Sequence, residues 1–122
     1  MIIYTVAKKN ELDALRRFLG EPSVNKTFVK PLLQRPQTIA QRVLDKYEKG
    51  LWILAKDNSK IIGCLALVQK TKEIEISTYA VAEGYRRQGI GSVLIDNAIE
   101  VTKSVYSNYD TIILTPGKEI LQ

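Results

Sequence analysis

Residues 73–105 read EIEISTYAVAEGYRRQGIGSVLIDNAIEVTKSV, and three changes of pattern within them decide the fold. Residues 74–81 alternate and are rich in β-branched and aromatic side chains, which predicts a strand. Its period of two puts Glu73, Glu75, Ser77, Tyr79 and Val81 on one face. Residues 82–89 form a turn containing Gly84, Arg86, Arg87, Gln88 and Gly89. From Ile90 the apolar positions take helical spacing, at Ile90, Val93, Leu94, Ala98, Val101 and Val105.

A strand, a basic glycine turn and a helix N-terminus make an anion site. The first turn of a helix carries backbone N–H groups with no internal acceptor, and the helix dipole adds partial positive charge there. Gly89 and Gly91 carry no Cβ to hold a ligand off the backbone. Arg86 and Arg87 add full charges, so a phosphate or pyrophosphate suits this turn.

Two nucleotide motifs fail against it. Gly84 and Gly89 have Walker A spacing, but Ile90-Gly91 follow where Lys and Ser/Thr are needed. The dinucleotide fingerprint needs a third Gly where Leu94 stands. What fits is R-x-x-G-x-G, in Arg86-Arg87-Gln88-Gly89-Ile90-Gly91, between a strand ending in Ala80-Val81 and a helix. This resembles the acetyl-coenzyme A signature of the GNAT family of N-acetyltransferases. The resemblance implies direct transfer of an acetyl group from acetyl-coenzyme A, the co-substrate, to a primary amine. It implies that main-chain N–H groups from Arg87 through Gln88, Gly89, Ile90 and Gly91 to Ser92 hold the pyrophosphate, with Arg86 nearby. Backbone around Tyr79, Ala80 and Val81 would face the cofactor. In the histone acetyltransferase branch a base glutamate precedes the signature at the distance at which Glu75 precedes Arg86, so Glu75 is the candidate base.

Composition narrows the chemistry. The chain has 122 residues, enough for one domain over 1–122 with its own core. Apolar residues at 45% and charged residues at 25% are ordinary for a soluble globular protein. No stretch approaches a membrane span. The N-terminus has no signal-peptide pattern, and the single cysteine, Cys64, suits a cytoplasmic protein. The absence of histidine excludes hydrolysis through a His base and most zinc sites, so no metal is expected. Any general base is a carboxylate, lysine, tyrosine or water. The net charge of +5 suits coenzyme A as well as nucleic acid. The helix after Gly89 carries only Lys103 as a cation, which makes a nucleic-acid partner the weaker reading.

Along the chain, Ile2–Val6 reads as a strand. Asn10 is the expected N-cap of a helix Glu11–Leu19 buried through Leu12, Leu15, Phe18 and Leu19, with Arg16 and Arg17 on a solvated face. Gly20–Gln37 reads as irregular, with a helical turn near Pro31–Gln34. Thr38 to Gln41 has capping-box spacing and opens a second helix, with Ile39, Ala40, Val43, Leu44 and Tyr47 inward and Gly50 as its C-cap. Leu51–Lys56 and Lys60–Gln69 form a hairpin through Asp57-Asn58-Ser59. Ile61–Val68 is apolar enough to be a central strand covered on both faces, with Trp52 and Cys64 in the core. Thr111–Thr115 is a last strand.

The order β-α-α-β-β-β-α-β gives a mixed α/β (α+β) sheet, GNAT-like and ending after its fifth strand. Family members usually add a further helix and two strands, and the tyrosine that often serves there as general acid has no counterpart before Gln122. An uncovered last strand predicts a homodimer through Ile112–Thr115 and the Gly117–Gln122 tail. The alternative to an enzyme is a non-catalytic module of the same fold that holds acetyl-coenzyme A or a partner.

Overall fold

The computed structural model describes residues 1–25 and 36–114. Five strands form one sheet in the order β1 (Ile2–Val6), β2 (Gly50–Asp57), β3 (Lys60–Lys70), β4 (Glu73–Val81) and β5 (Thr111–Leu114). Neighbours from β1 to β4 are antiparallel, and β4–β5 is parallel. Three helices, α1 (Leu12–Gly20), α2 (Pro22–Asn25) and α3 (Pro36–Lys49), precede β2, and α4 (Ile90–Val105) crosses from β4 to β5. This is the expected mixed architecture with one addition. The short α2 falls in the segment read as irregular, held by Val24 in the core and by Asn25 Nδ2 donating to Leu19 O at 3.2 Å. The turn expected near Pro31–Gln34, and Thr115 with the tail 117–122, lie outside the described residues.

β3 occupies the middle of the sheet and is covered on both faces, as its continuous apolar run requires. Ile61, Cys64 and Ala66 pack with Leu15, Phe18, Val43 and Trp52 under α1 and α3. Ile62, Leu65 and Leu67 pack with Leu94 and Ala98 under α4. The Trp52 indole N–H, fully buried, donates to Val43 O at 3.1 Å, which ties α3 to β2 and satisfies a donor that burial would otherwise penalise. The hairpin turns on Asn58 and Ser59, both at positive φ (51° and 72°), the conformation that matches the twist of its strands.

Several expectations at the helix ends change. Asn10 lies in a 3-10 turn, Lys9–Glu11, and does not cap α1. Glu11 stands at the N-cap position of α1 without a side-chain cap bond; its carboxylate turns back instead onto the start of the 3-10 turn, accepting from the Lys8 N–H at 2.8 Å, and pairs with Lys56. α3 begins at Pro36 rather than Thr38, where a missing N–H costs nothing, and Ala40 is exposed. Gly50 opens β2. A Cβ there would lie 1.8 Å from Leu67 O, so close strand packing demands the glycine. On α4 the buried row is Ile90, Leu94, Ala98 and Thr102, strictly four apart. Val93 and Val105, counted inward from the sequence, are exposed.

Candidate functional site

β4 is built in two halves. Its first half pairs with β5, from Glu73 opposite Thr111 to Ile76 opposite Leu114. Ser77–Val81 continue with β3 on one edge and, among the described residues, no strand on the other. Between the halves is a bulge. Cys64 faces Ala80 and Ala66 faces Ser77, so β4 spends one residue more than β3 over the same interval. The bulge centres on Thr78 at φ 49°, a left-handed conformation that costs a β-branched residue about 1–3 kcal/mol. Its carbonyl is met by the buried Cys64 thiol, with Sγ 3.6 Å from Thr78 O. Burial pushes that thiol far above the usual cysteine range, so it stays protonated and unreactive.

The bulge breaks the expected alternation. Ile74 and Ile76 face α4, and Glu75 and Ser77 face α3. After Thr78 the pattern inverts, and Tyr79 and Val81 join the α4 side. Glu75 and Tyr79 therefore do not share a face as the sequence period predicted.

Beside the unpaired half of β4 opens a cleft of about 480 Å³. It is lined by Tyr79, Ala80 and Val81 from β4, by Tyr85, Arg86 and Arg87 from the turn, and by Gly89, Ile90, Gly91 and Ser92 at the start of α4. Nine of the ten cofactor residues named from the sequence converge there. The exception is Gln88, whose side chain turns back to Gly84 O at 3.3 Å. Tyr85 was missed because nothing in the local pattern marks it. Its hydroxyl donates to Asp57 Oδ2 at 2.7 Å, which pulls the turn onto the hairpin and holds the Asp57 carboxyl below its usual range.

The floor of the cleft is a set of donors. The first described intrahelical bond of α4 runs from Val93 N to Gly89 O at 3.1 Å. The N–H groups of Ile90, Gly91 and Ser92 therefore precede the ladder, and no side chain among the described residues caps the helix. Gly89 sits at φ 82° as N-cap, a conformation suited to glycine. Arg87 is also left-handed, at φ 65°, and is exposed at the rim.

Two residues serve the site differently from the sequence reading. Arg86 acts as a clamp: its Nε donates to Val81 O at 2.9 Å and its Nη2 to Ser23 O at 3.0 Å. Gly91 is needed by the protein itself, since a Cβ there would fall 1.8 Å from the Tyr79 hydroxyl. Tyr79 is buried, which raises its hydroxyl above the usual tyrosine value and keeps it neutral at physiological pH.

Glu75 lies on the opposite face, in a second cavity of about 370 Å³ between α3 and the ends of β3 and β4. Its carboxylate pairs with Lys70 at 3.0 Å. Lys46 enters the same cavity from α3 and donates to Ser77 Oγ at 2.8 Å. No helix among the described residues is long and apolar enough to cross a membrane.

Comparison with known proteins agrees with this geometry. The model of the Acetyltransferase (GNAT) family matches residues 14–118. No curated protein matches. Among solved structures, a possible acetyltransferase from Clostridium difficile 630 superposes with a TM-score of 0.74 at 19% identity, over 99% of this chain and 83% of its own. A putative acetyltransferase from Pyrococcus horikoshii gives 0.73 at 17% identity, over 91% of this chain and 37% of its own. An aminoglycoside acetyltransferase from an uncultured soil metagenomic sample gives 0.69 at 20% identity, over 94% and 79%. At these identities the structural likeness establishes the fold.

Proposed function

The chain belongs to the GNAT acetyltransferase family, and from that premise we propose that it transfers an acetyl group from acetyl-coenzyme A to a primary amine. The observation that carries the proposal is the cleft at the unpaired half of β4, floored by the free N–H groups of α4. Its donors fit a pyrophosphate: three helix-start amides, the α4 dipole and the Arg87 charge point at one place. Arg86 keeps the cleft open by holding the end of β4 to α2, and its charge adds to the field.

Acetyl-coenzyme A supplies the activated thioester. The protein's tasks are to place it, polarise its carbonyl and unload a proton from the amine. Val81 has its carbonyl on the edge of β4 that β5 does not reach, where Arg86 takes it. Its N–H lies on that same edge and is the donor for the thioester oxygen. The amine nitrogen forms the new C–N bond as the C–S bond breaks, and its proton passes to a base. Glu75 is that base, steered by Lys70, with water carrying the proton across β4. Cytoplasmic location follows from the use of acetyl-coenzyme A in a chain with one buried thiol.

The proposal extends to a homodimer. β5 is the edge of the sheet among the described residues, and Leu114 is 42% exposed on it. A second copy pairing along Ile112–Leu114 would cover that edge. Light scattering at micromolar concentration should return twice the chain mass, and a monomer would remove the extension.

The test of the function is release of free thiol from acetyl-coenzyme A on addition of an amine, with the acetylated amine identified by mass. Thermal stabilisation by acetyl-coenzyme A without release for any amine would establish the alternative, a binding module.

A further inference from the structure

Resting on the reading of the cleft as a coenzyme A site, we infer that the Tyr79 hydroxyl is a side-chain ligand of the coenzyme's pyrophosphate. It adds to the helix-start amides a donor that the glycine turn alone does not supply.

Three features put the hydroxyl in place, and each is unfavourable for the fold by itself. The bulge at Thr78, with its left-handed φ of 49°, inverts the alternation of β4 and sends Tyr79 to the α4 side. An unbroken strand would have sent it to the α3 side. Gly91 gives up its side chain, since a Cβ there would lie 1.8 Å from the hydroxyl oxygen, and glycine is a poor helix former. Tyr79 is only 6% exposed, yet its hydroxyl has no hydrogen-bond partner among the described residues. A buried polar group without a partner is destabilising, and a phenylalanine in this place would carry no such penalty. A ligand at the oxygen accounts for all three.

Direction identifies the ligand. Cβ bonds on a helix tilt toward its N-terminus. An oxygen beside the missing Cβ of residue 91 therefore stands ahead of the first turn of α4, where the N–H groups of Ile90, Gly91 and Ser92 point. Tyr79 and Gly91 both line the cleft at this spot. Burial raises the hydroxyl above the usual tyrosine value, so it keeps its proton and donates. The amides around it are donors too, and one acceptor that suits them all is an anion. The thioester donor, the Val81 N–H, is on the free edge of β4, whereas the Tyr79 ring crosses to α4. The hydroxyl thus meets the phosphate end of the coenzyme and not the departing sulfur.

The experiment compares coenzyme A, 4′-phosphopantetheine and pantetheine, which share the thiol arm and lose phosphate stepwise. Each is titrated into the parent and into Tyr79→Phe, with binding followed in ¹H–¹⁵N spectra, which read weak and tight binding alike. Tyr79→Phe should weaken coenzyme A by about tenfold or more, the effect of a hydrogen bond to a charged group. It should leave pantetheine within about twofold. The 4′-phosphopantetheine value shows whether the hydroxyl serves the phosphate next to the pantetheine arm or the one beyond it. Turnover at saturating acetyl-coenzyme A should be nearly unchanged. Equal weakening of all three ligands, with a lowered melting temperature, would make Tyr79 a packing residue and overturn the inference. So would unchanged coenzyme A affinity, whether or not kcat falls. Failure of the parent to bind coenzyme A overturns the underlying reading of the cleft instead.

Discussion

Gly91 lies so close beneath the Tyr79 hydroxyl that a Cβ on residue 91 would sit 1.8 Å from it. The contact joins the bulged half of β4 to the first turn of α4, the two walls of the cleft. Gly91→Ala should therefore lower stability as well as cofactor binding, because Tyr79 must swing out. Tyr79→Phe removes the colliding oxygen, though its ring carbon at 2.9 Å still crowds the site. The double variant should regain part of the stability lost by Gly91→Ala. Chemical denaturation of the four proteins gives the coupling directly, and strictly additive losses would show that the two residues are independent.

Arg86 and Arg87 should separate cleanly. Arg86→Lys keeps the charge but loses the fork that bridges Val81 O and Ser23 O, and should cost about 2 kcal/mol of stability. Arg87→Ala, at an exposed rim position, should leave the melting temperature nearly unchanged and weaken acetyl-coenzyme A about tenfold. The reverse pattern would exchange their roles.

Ahead of α1, Glu11 matters through its pairing with Lys56, and Asn10 does not cap the helix. Asn10→Ala should change stability by less than about 0.5 kcal/mol, whereas Glu11→Gln, which weakens the charge-assisted contacts to Lys56 and the Lys8 N–H, should cost about 1 kcal/mol. The Lys56 contact holds the Glu11 carboxyl below its ordinary value near 4.5. A depressed folded value stabilises the protein above pH 4.5 and is lost as pH falls through the folded value. The acid limb of the stability curve should accordingly be shallower in Glu11→Gln, and an unchanged limb would remove Glu11 from the account.

Glu75→Gln should lower turnover by about a hundredfold or more while acetyl-coenzyme A affinity stays within about twofold. A flattened pH–rate profile identifies the lost base. An unchanged profile would make Glu75 a partner of Lys70 and nothing more.

The cleft at the start of α4 was legible in the sequence because its signal is local. A left-handed Gly89, a glycine under Tyr79 and a helix start all fall within a short turn, and backbone demands of that kind restrict residue type directly. β3 was equally legible, since only a strand covered on both faces tolerates so long an apolar run. The bulge was invisible. Period-two alternation assumes an unbroken strand, and Thr78 is a residue type that gives no hint of a positive φ. Glu75 was consequently placed on the wrong face relative to Tyr79. The bracing role of Arg86 was hidden for another reason: its acceptor on Ser23 lies 63 residues away, and no local pattern encodes that. Val93 and Val105 looked inward because the helical period alone cannot tell a buried row from its flanks.

The central claim, that the N-terminus of α4 and the unpaired half of β4 hold acetyl-coenzyme A, is tested most directly by amide chemical shifts. In a ¹H–¹⁵N spectrum, saturating acetyl-coenzyme A should move the N–H resonances of Gly89, Ile90, Gly91 and Ser92 most, with Val81 next. The Glu11–Lys56 region should stay still. An unchanged spectrum, or shifts confined to the basic face of α3, would contradict the account.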